Sequence, residues 1–173
     1  MNAFESNFER DCAAGCEIRY AFDLARAAEE FDHVGYAARV PGAGLAPPST
    51  FLLHPRDGDL SRRFTLQVTT PPGLRFATGL PRAGAPGTVG ATLADLPSAP
   101  YAALGSMRTH PIDAGGAQVE VAIVGEPRAG GDAALVDWAR EGALDVTELL
   151  GRPVVPHALV LVEVRPGRRL SLL

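Results

Sequence analysis

The chain has 173 residues, 46% hydrophobic and 21% charged, a globular rather than disordered composition long enough for one well-buried core, or for one domain and the start of another. Its net charge of -4 sets up a field that repels a phosphate backbone, which argues against nucleic acid as a partner. The 19 Gly and 15 Pro favour many short strands joined by turns over a helix bundle.

The opening Met1-Asn2-Ala3-Phe4-Glu5 lacks the basic-then-apolar pattern of a signal peptide, so the expectation is a cytosolic chain or one whose leader has been trimmed. No apolar run reaches the length of a bilayer-spanning helix; the longest, around Ala158 to Val162, is strand-sized, and no transmembrane segment is expected. Cys12 and Cys16 are the only cysteines. A coiled Asp11 to Cys16 segment would let them bridge, whereas an extended one would hold their Cα atoms about 13 Å apart, beyond disulfide reach. Such a bridge would add only about 2 kcal/mol and would imply export to an oxidising compartment. The disulfide is the favoured state, because no neighbouring motif for metal or thioredoxin chemistry is present; two free thiols or a redox pair are the alternatives.

Ile18, Tyr20, Phe22 and Leu24 alternate with Glu17, Arg19 and Asp23, which predicts a half-buried strand over Cys16 to Leu24. Ala25 to Phe31 either continues it irregularly or forms a short helical turn. A strand over Tyr36 to Val40 is stopped by Pro41-Gly42, a loop runs from Ala43 to Pro48, and an apolar run resumes at Thr50 to Leu53. Pro55-Arg56-Asp57-Gly58-Asp59 carries an Asp-Gly hairpin signal ahead of a strand in which Phe64, Leu66 and Val68 alternate with Arg63, Thr65 and Gln67. Short strands are predicted at Leu74 to Thr78 and Thr88 to Thr92, with a loop at Arg82 to Gly87, while Pro97 to Leu104 is too broken to assign. Val119, Val121 and Ile123 oppose Gln118, Glu120 and Ala122 in a strand over Ala117 to Val124. The period then changes to that of a helix running from an N-cap at Asp132 to Gly151, carrying Leu135, Trp138, Ala139, Val146 and Leu149, with Gly142 as a candidate break and Pro153 barring continuation. A last strand, Ala158 to Val164, is apolar on both faces, as a buried strand between layers would be. The fold class is therefore mainly β, an antiparallel β-sandwich or saddle-like β domain, followed by one helix and a final strand.

The chemistry-bearing residues form no local motif. His33, His54, His110 and His157 are scattered, with no paired ligands on one helix, so no metal site is assigned. Asp57 and Asp59 are explained by turn chemistry and lack the remaining positions of a calcium loop. Pro86-Gly87-Thr88-Val89-Gly90 lacks the Lys-Ser/Thr ending of a phosphate loop, and Ser49, Ser98 and Ser106 lie in no nucleophile elbow. Tyr36, Tyr101 and Trp138 suit a ligand groove, but core packing is the favoured reading, above all for Trp138 on its helix. No catalytic, cofactor-binding or metal residue is assigned, no cofactor is expected, and the chain is not expected to be an enzyme by itself.

Phe76-Ala77-Thr78-Gly79-Leu80-Pro81 is followed by Leu93-Ala94-Asp95-Leu96-Pro97-Ser98-Ala99-Pro100-Tyr101 with Leu104-Gly105. Then come the strand around Val121, the helix from Asp132, and Gly151-Arg152-Pro153-Val154-Val155-Pro156 leading into an apolar strand. In this order the segments resemble the region that precedes the catalytic centre in glycyl-aminopeptidase-type metallopeptidases of the gluzincin clan. The resemblance covers roughly Phe64 to Val164. It implies a bent or saddle-like N-terminal β domain over residues 1–130, flanking a thermolysin-like catalytic domain of which residues 131–173 would be the opening helix and strand. The family's zinc helix, with two His ligands and a Glu base, would come after Leu173, so no catalytic residue carries over. On this map the last strand lacks sheet neighbours until more chain is supplied.

Two functions are compatible with this reading. The first is a non-catalytic accessory domain that shapes a peptide cleft and packs on a peptidase catalytic domain. The alternative is an exported β-sandwich binding or adhesion module, motivated by the acidic surface, the many turns and the Cys12/Cys16 pair.

Overall fold

The computed structural model describes residues 17–31, 35–55, 58–85, 87–127, 130–165 and 171–172. Its strands make two four-stranded sheets and one two-stranded ribbon. The first sheet joins β1 (Ala38–Val40), β2 (Ala43–Ala46), β6 (Ala102–Gly105) and β4 (Arg75–Thr78) in the antiparallel order β1-β2-β6-β4. The ribbon pairs β3 (Arg63–Gln67) with β5 (Thr88–Thr92). The second sheet has the order β10-β9-β8-β7, built from β7 (Met107–Ala114), β8 (Ala117–Val124), β9 (His157–Glu163) and β10 (Ser171–Leu172). Its β8–β9 pair is parallel and is joined through the helix α3 (Ala133–Leu150), because parallel neighbours need a long crossover.

β8 is the strand on which both cores meet. Val119, Val121 and Ile123 point to one face, where they pack with Ile112, Val162 and the α3 residues Leu135, Val136 and Ala139. Ala122 and Val124 point to the other, where they pack with Leu45, Ala77 and Ala103 of the first sheet and Leu161 of β9. The order of layers is thus sheet, sheet, helix, and each fully buried Val or Leu contributes roughly 1.5 to 3 kcal/mol. The alternation in Ala117 to Val124 reports the helix-side face. The second, sheet-side core is made largely of alanines, which carry little strand signal of their own. The helix-side core contains residues from both sides of Gly130.

The N-terminal strand expected over Cys16 to Leu24 is not formed. Glu17 to Asp23 has no regular structure, and α1 (Leu24–Glu30) begins where the Asp23 carboxylate accepts a hydrogen bond from the Arg26 N–H at 3.0 Å. Capping by Asp and the helix preference of Ala-Arg-Ala-Ala-Glu-Glu outweigh the alternation before them. The short-turn alternative for Ala25 to Phe31 is the one adopted. The expected loop from Ala43 to Pro48 is instead β2 and the start of α2 (Pro48–Phe51), which takes in the first half of the apolar run Thr50 to Leu53. Small residues let β2 sit between β1 and β6, and Pro41-Gly42 makes the two-residue hairpin between Val40 and Ala43.

Arg56 and Asp57 of the Asp-Gly signal lie outside the described residues. The strand that follows does not fold back on the chain before it: Phe64 and Leu66 are half-buried and face inward as expected, but their strand pairs with β5. Pro97 to Leu104 resolves into a 3-10 turn (Leu96–Ser98) and β6. β7, which the sequence reading leaves unassigned, carries Pro111 at its centre. A proline is tolerated there because β7 is an edge strand whose outward N–H is not needed.

The helix anticipated from Asp132 to Gly151 is present and unbroken through Gly142, and it ends on Gly151 in the left-handed region at φ 68°. Trp138 is 45% exposed, so its expected place in the core is corrected. The last strand also departs from expectation, since β9 is flanked by β8 on one side and β10 on the other.

Gly105 closes β6 with φ 151°, and a Cβ there would stand 2.3 Å from the Gly42 carbonyl oxygen and 2.6 Å from the Ala43 Cα. Both neighbours are backbone and cannot swing aside, so Gly105→Ala should destabilise the chain by about 2 kcal/mol, read as a lower urea midpoint with unchanged slope.

Candidate functional site

The sheet-side face of β8 changes character along its length. Ala122 and Val124 pack against the first sheet, whereas Gln118 and Glu120 at the other end do not. There the layers leave a polar cleft of about 520 Å³ lined by Arg82, Thr109, Asp113, Gln118, Glu120 and His157. The strand register explains the grouping: Asp113 lies opposite Gln118 across β7–β8, and His157 opens β9 opposite Gln118 on the other side. Arg82 reaches the cleft from a single bridge to Val89.

His157 is the most constrained titratable group in the cleft. Its Nδ1 is sealed from solvent with no hydrogen-bond partner. Burial holds the imidazole below its ordinary pKa of 6.5 and the Arg82 guanidinium adds to this, while Glu120 and the Leu80 backbone oppose. The folded chain therefore binds fewer protons at this ring than the unfolded chain does. His157 contributes stability that is fully present above the ordinary histidine range and is lost as pH falls below it. His157→Gln should flatten that part of a stability-versus-pH profile measured by urea denaturation.

A second cluster joins β7 to the start of α3. The Asp132 carboxylate accepts from Arg108 Nε at 2.6 Å and Nη2 at 3.1 Å and lies 3.2 Å from His110 Nε2, while Arg108 Nη1 donates to the Gly125 carbonyl at 2.9 Å. The hydrogen bond from Arg108 is the main cause that holds Asp132 below the usual carboxylate range, against the opposing effect of burial. Asp132 occupies the N-cap position, but its side chain makes no capping hydrogen bond to the helix. Sequence position suggested a cap; the folded chain uses the carboxylate as a tie between two elements. Arg108, at the centre of that tie, was missed because it belongs to the unassigned β7.

An apolar pocket of about 310 Å³ lies on the outer face of the first sheet, lined by Phe22, Leu24, Phe51, Phe76 and Leu104. Tyr20, expected only as one residue of a half-buried strand, donates its hydroxyl to the Phe51 carbonyl at 2.7 Å and accepts from the Leu53 N–H at 3.3 Å. Leu24 fits here because Gly44 has no side chain; a Cβ would stand 2.6 Å from Leu24 Cδ2.

The remaining candidates are not brought together. His54 is exposed, His110 is tied to Asp132 and His157 lies in the cleft, while His33 is outside the described residues. Among the described residues no three His, Cys, Asp or Glu side chains are placed to hold one metal ion. Asp59 accepts from the Ser61 N–H at 2.9 Å and hydroxyl at 2.5 Å, the turn role expected of it, and its neighbour Asp57 is outside the described residues. Ser98 donates to the Asp95 carbonyl at 3.1 Å and Ser106 is exposed. Tyr101 packs on the sheet–sheet core, whereas Tyr36 is 57% exposed. Cys12 and Cys16 lie outside the described residues. No helix among the described residues is long and apolar enough to cross a membrane.

The architecture is that of a mainly β domain with an α3 crossover and a polar cleft. No family model matches the chain, and no curated protein matches it. Among solved structures it is similar to an aminopeptidase N family protein from Idiomarina loihiensis, with a TM-score of 0.61 and 19% identity over 77% of this chain and 24% of that one. The chain thus spans about a quarter of that protein's length. The likeness is one of fold, and it agrees with the peptidase resemblance at that level.

Proposed function

We propose that the chain is a non-catalytic accessory domain of a larger metallopeptidase-like protein, with its polar cleft forming one wall of a peptide-binding groove and its body packing on a zinc peptidase domain outside this chain. The observation that carries the proposal is the fold similarity to a quarter of an aminopeptidase N family protein. The cleft chemistry suits the role. Glu120 and Asp113 complement a cationic peptide group, Arg82 complements a carboxylate, and Thr109 and Gln118 offer hydrogen bonds to backbone amides. An NMR titration with an unblocked tripeptide should move the resonances of Gln118, Glu120 and His157 and leave the peptide intact. Shifts confined to other surfaces, or cleavage of the peptide, would count against the reading.

A stand-alone binding module is the second reading. It is favoured by one observation, that β9 has a strand on each side within this chain. Cooperative unfolding of the isolated chain, together with peptide binding undiminished by the absence of any other domain, would prefer it.

A further inference from the structure

α3 presents two different faces. Leu135, Val136 and Ala139 are buried against the second sheet, Ala143 packs on the same core, and Thr147 donates to the Ala114 carbonyl at 3.3 Å. Along one edge of that stripe, Trp138, Val146 and Leu149 line a second apolar face at helical spacing, and Leu150 follows in the last turn on the line of Ala143. They are 45%, 48%, 82% and 55% exposed. Val154 and Val155, just beyond the helix in sequence, are also exposed, at 63% and 46%. Contiguous exposed apolar surface of this kind marks an interaction site rather than ordinary scatter. Gly142 lies within the stripe, and a Cβ there would meet nothing within 4 Å. The face is therefore notched at its middle, where another backbone can approach closely.

One border of the face decides what fits it. Asp137, Glu141, Asp145 and Glu148 follow one another along the helix as an exposed acidic row beside Trp138 and Leu149. In that row Asp137 is paired with Arg140. A second copy, packed antiparallel about a two-fold axis, would set its own acidic row alongside this one, so self-pairing is opposed by like charge. The same row repels an anionic lipid surface. We infer that the outer face of α3 is a docking surface for an amphipathic helix with an apolar stripe and a basic border, seated across Gly142. This inference is independent of the peptidase reading, since the partner is defined by its chemistry alone.

Trp138 is the only tryptophan in the chain, so its fluorescence reports directly on the face. The probe is a synthetic helical peptide with Leu along one face and Lys along its border, and the control is the same peptide with Glu in place of Lys. The Leu/Lys peptide should give a saturable blue shift of Trp138 emission that weakens as salt is raised. Affinity should fall about tenfold in the exposed-residue variants Leu149→Ser and Glu141→Lys/Asp145→Lys, corresponding to about 1.4 kcal/mol. No spectral change, an equal response to the Leu/Glu peptide, or a concentration-dependent blue shift without any peptide would each overturn the inference. Should a variant lose its far-UV circular dichroism spectrum, the salt titration and the Leu/Glu control on the unaltered chain still decide.

Discussion

Ile123→Ala is expected to lower stability by about 3 kcal/mol, within the range for removing a buried branched side chain from a packed core. Ile123 is fully buried near the C-terminal end of β8, beside Val162 of β9 and under Leu135, Val136 and Ala139 of α3. The space left behind is bounded by a hydrogen-bonded sheet on one side and a helix on the other, and neither can collapse freely into it. Trp138→Ala removes a larger side chain, yet it should cost less than about 1 kcal/mol because the indole is exposed. The contrast is read from urea midpoints of the two variants at equal slope. If the order of the two effects were reversed, the helix would have to be rotated relative to the sheet from the arrangement described.

Asp132→Ala should cost about 3 kcal/mol, because it leaves the Arg108 guanidinium part-buried without its carboxylate. The low end of the range for broken buried pairs applies because Arg108 keeps 32% of its side-chain surface in water, against 11% for Asp132. Asp132→Asn keeps an acceptor and should cost less. The same pair sets an acid limb in the stability profile. The folded-state pKa of Asp132 is depressed, so its contribution is present above the ordinary carboxylate value of 3.8 and is lost as pH falls through the lower folded value. That limb should vanish in Asp132→Asn and persist in His157→Gln, whose effect belongs to the higher window set by the imidazole. Profiles in which both variants changed the same window would separate these groups from the roles given to them.

Where one residue's environment was strongly one-sided, the sequence showed the structure. Ala117 to Val124 alternates because one face of β8 meets a helix, and the span from Asp132 to Gly151 ends on a left-handed glycine that no other common residue replaces easily. The expectation failed where small residues and proline did the structural work. β2 and β6 are largely alanine and glycine, β7 contains Pro111 on an open edge, and the Glu17 to Leu24 alternation was overridden by a capping aspartate. Parallel pairing of β8 with β9 was also hidden, because register between distant strands is fixed by the crossover helix rather than by either strand's own pattern.

The candidate site was legible only as separate residues. His110 and His157 stood out as histidines and Asp132 as a helix cap, but nothing in their spacing placed His110 on Asp132 or His157 across from Gln118. Those neighbours arise from strand register. The polar half of the sheet-side β8 face was visible as Gln118 and Glu120, which in the folded chain line the cleft, Gln118 exposed and Glu120 half-buried. Arg82 completes the cleft through an isolated bridge that no local motif announces.

On the proposed function, these sheets are a scaffold rather than a catalyst. The most direct test is to incubate the purified chain with glycyl- and alanyl-p-nitroanilide in the presence of zinc or cobalt and to follow release of the chromophore. The scaffold account predicts a rate equal to that of the metal-containing buffer. Turnover that co-elutes with the chain, stops on chelation and disappears in His110→Ala or His157→Ala would contradict it.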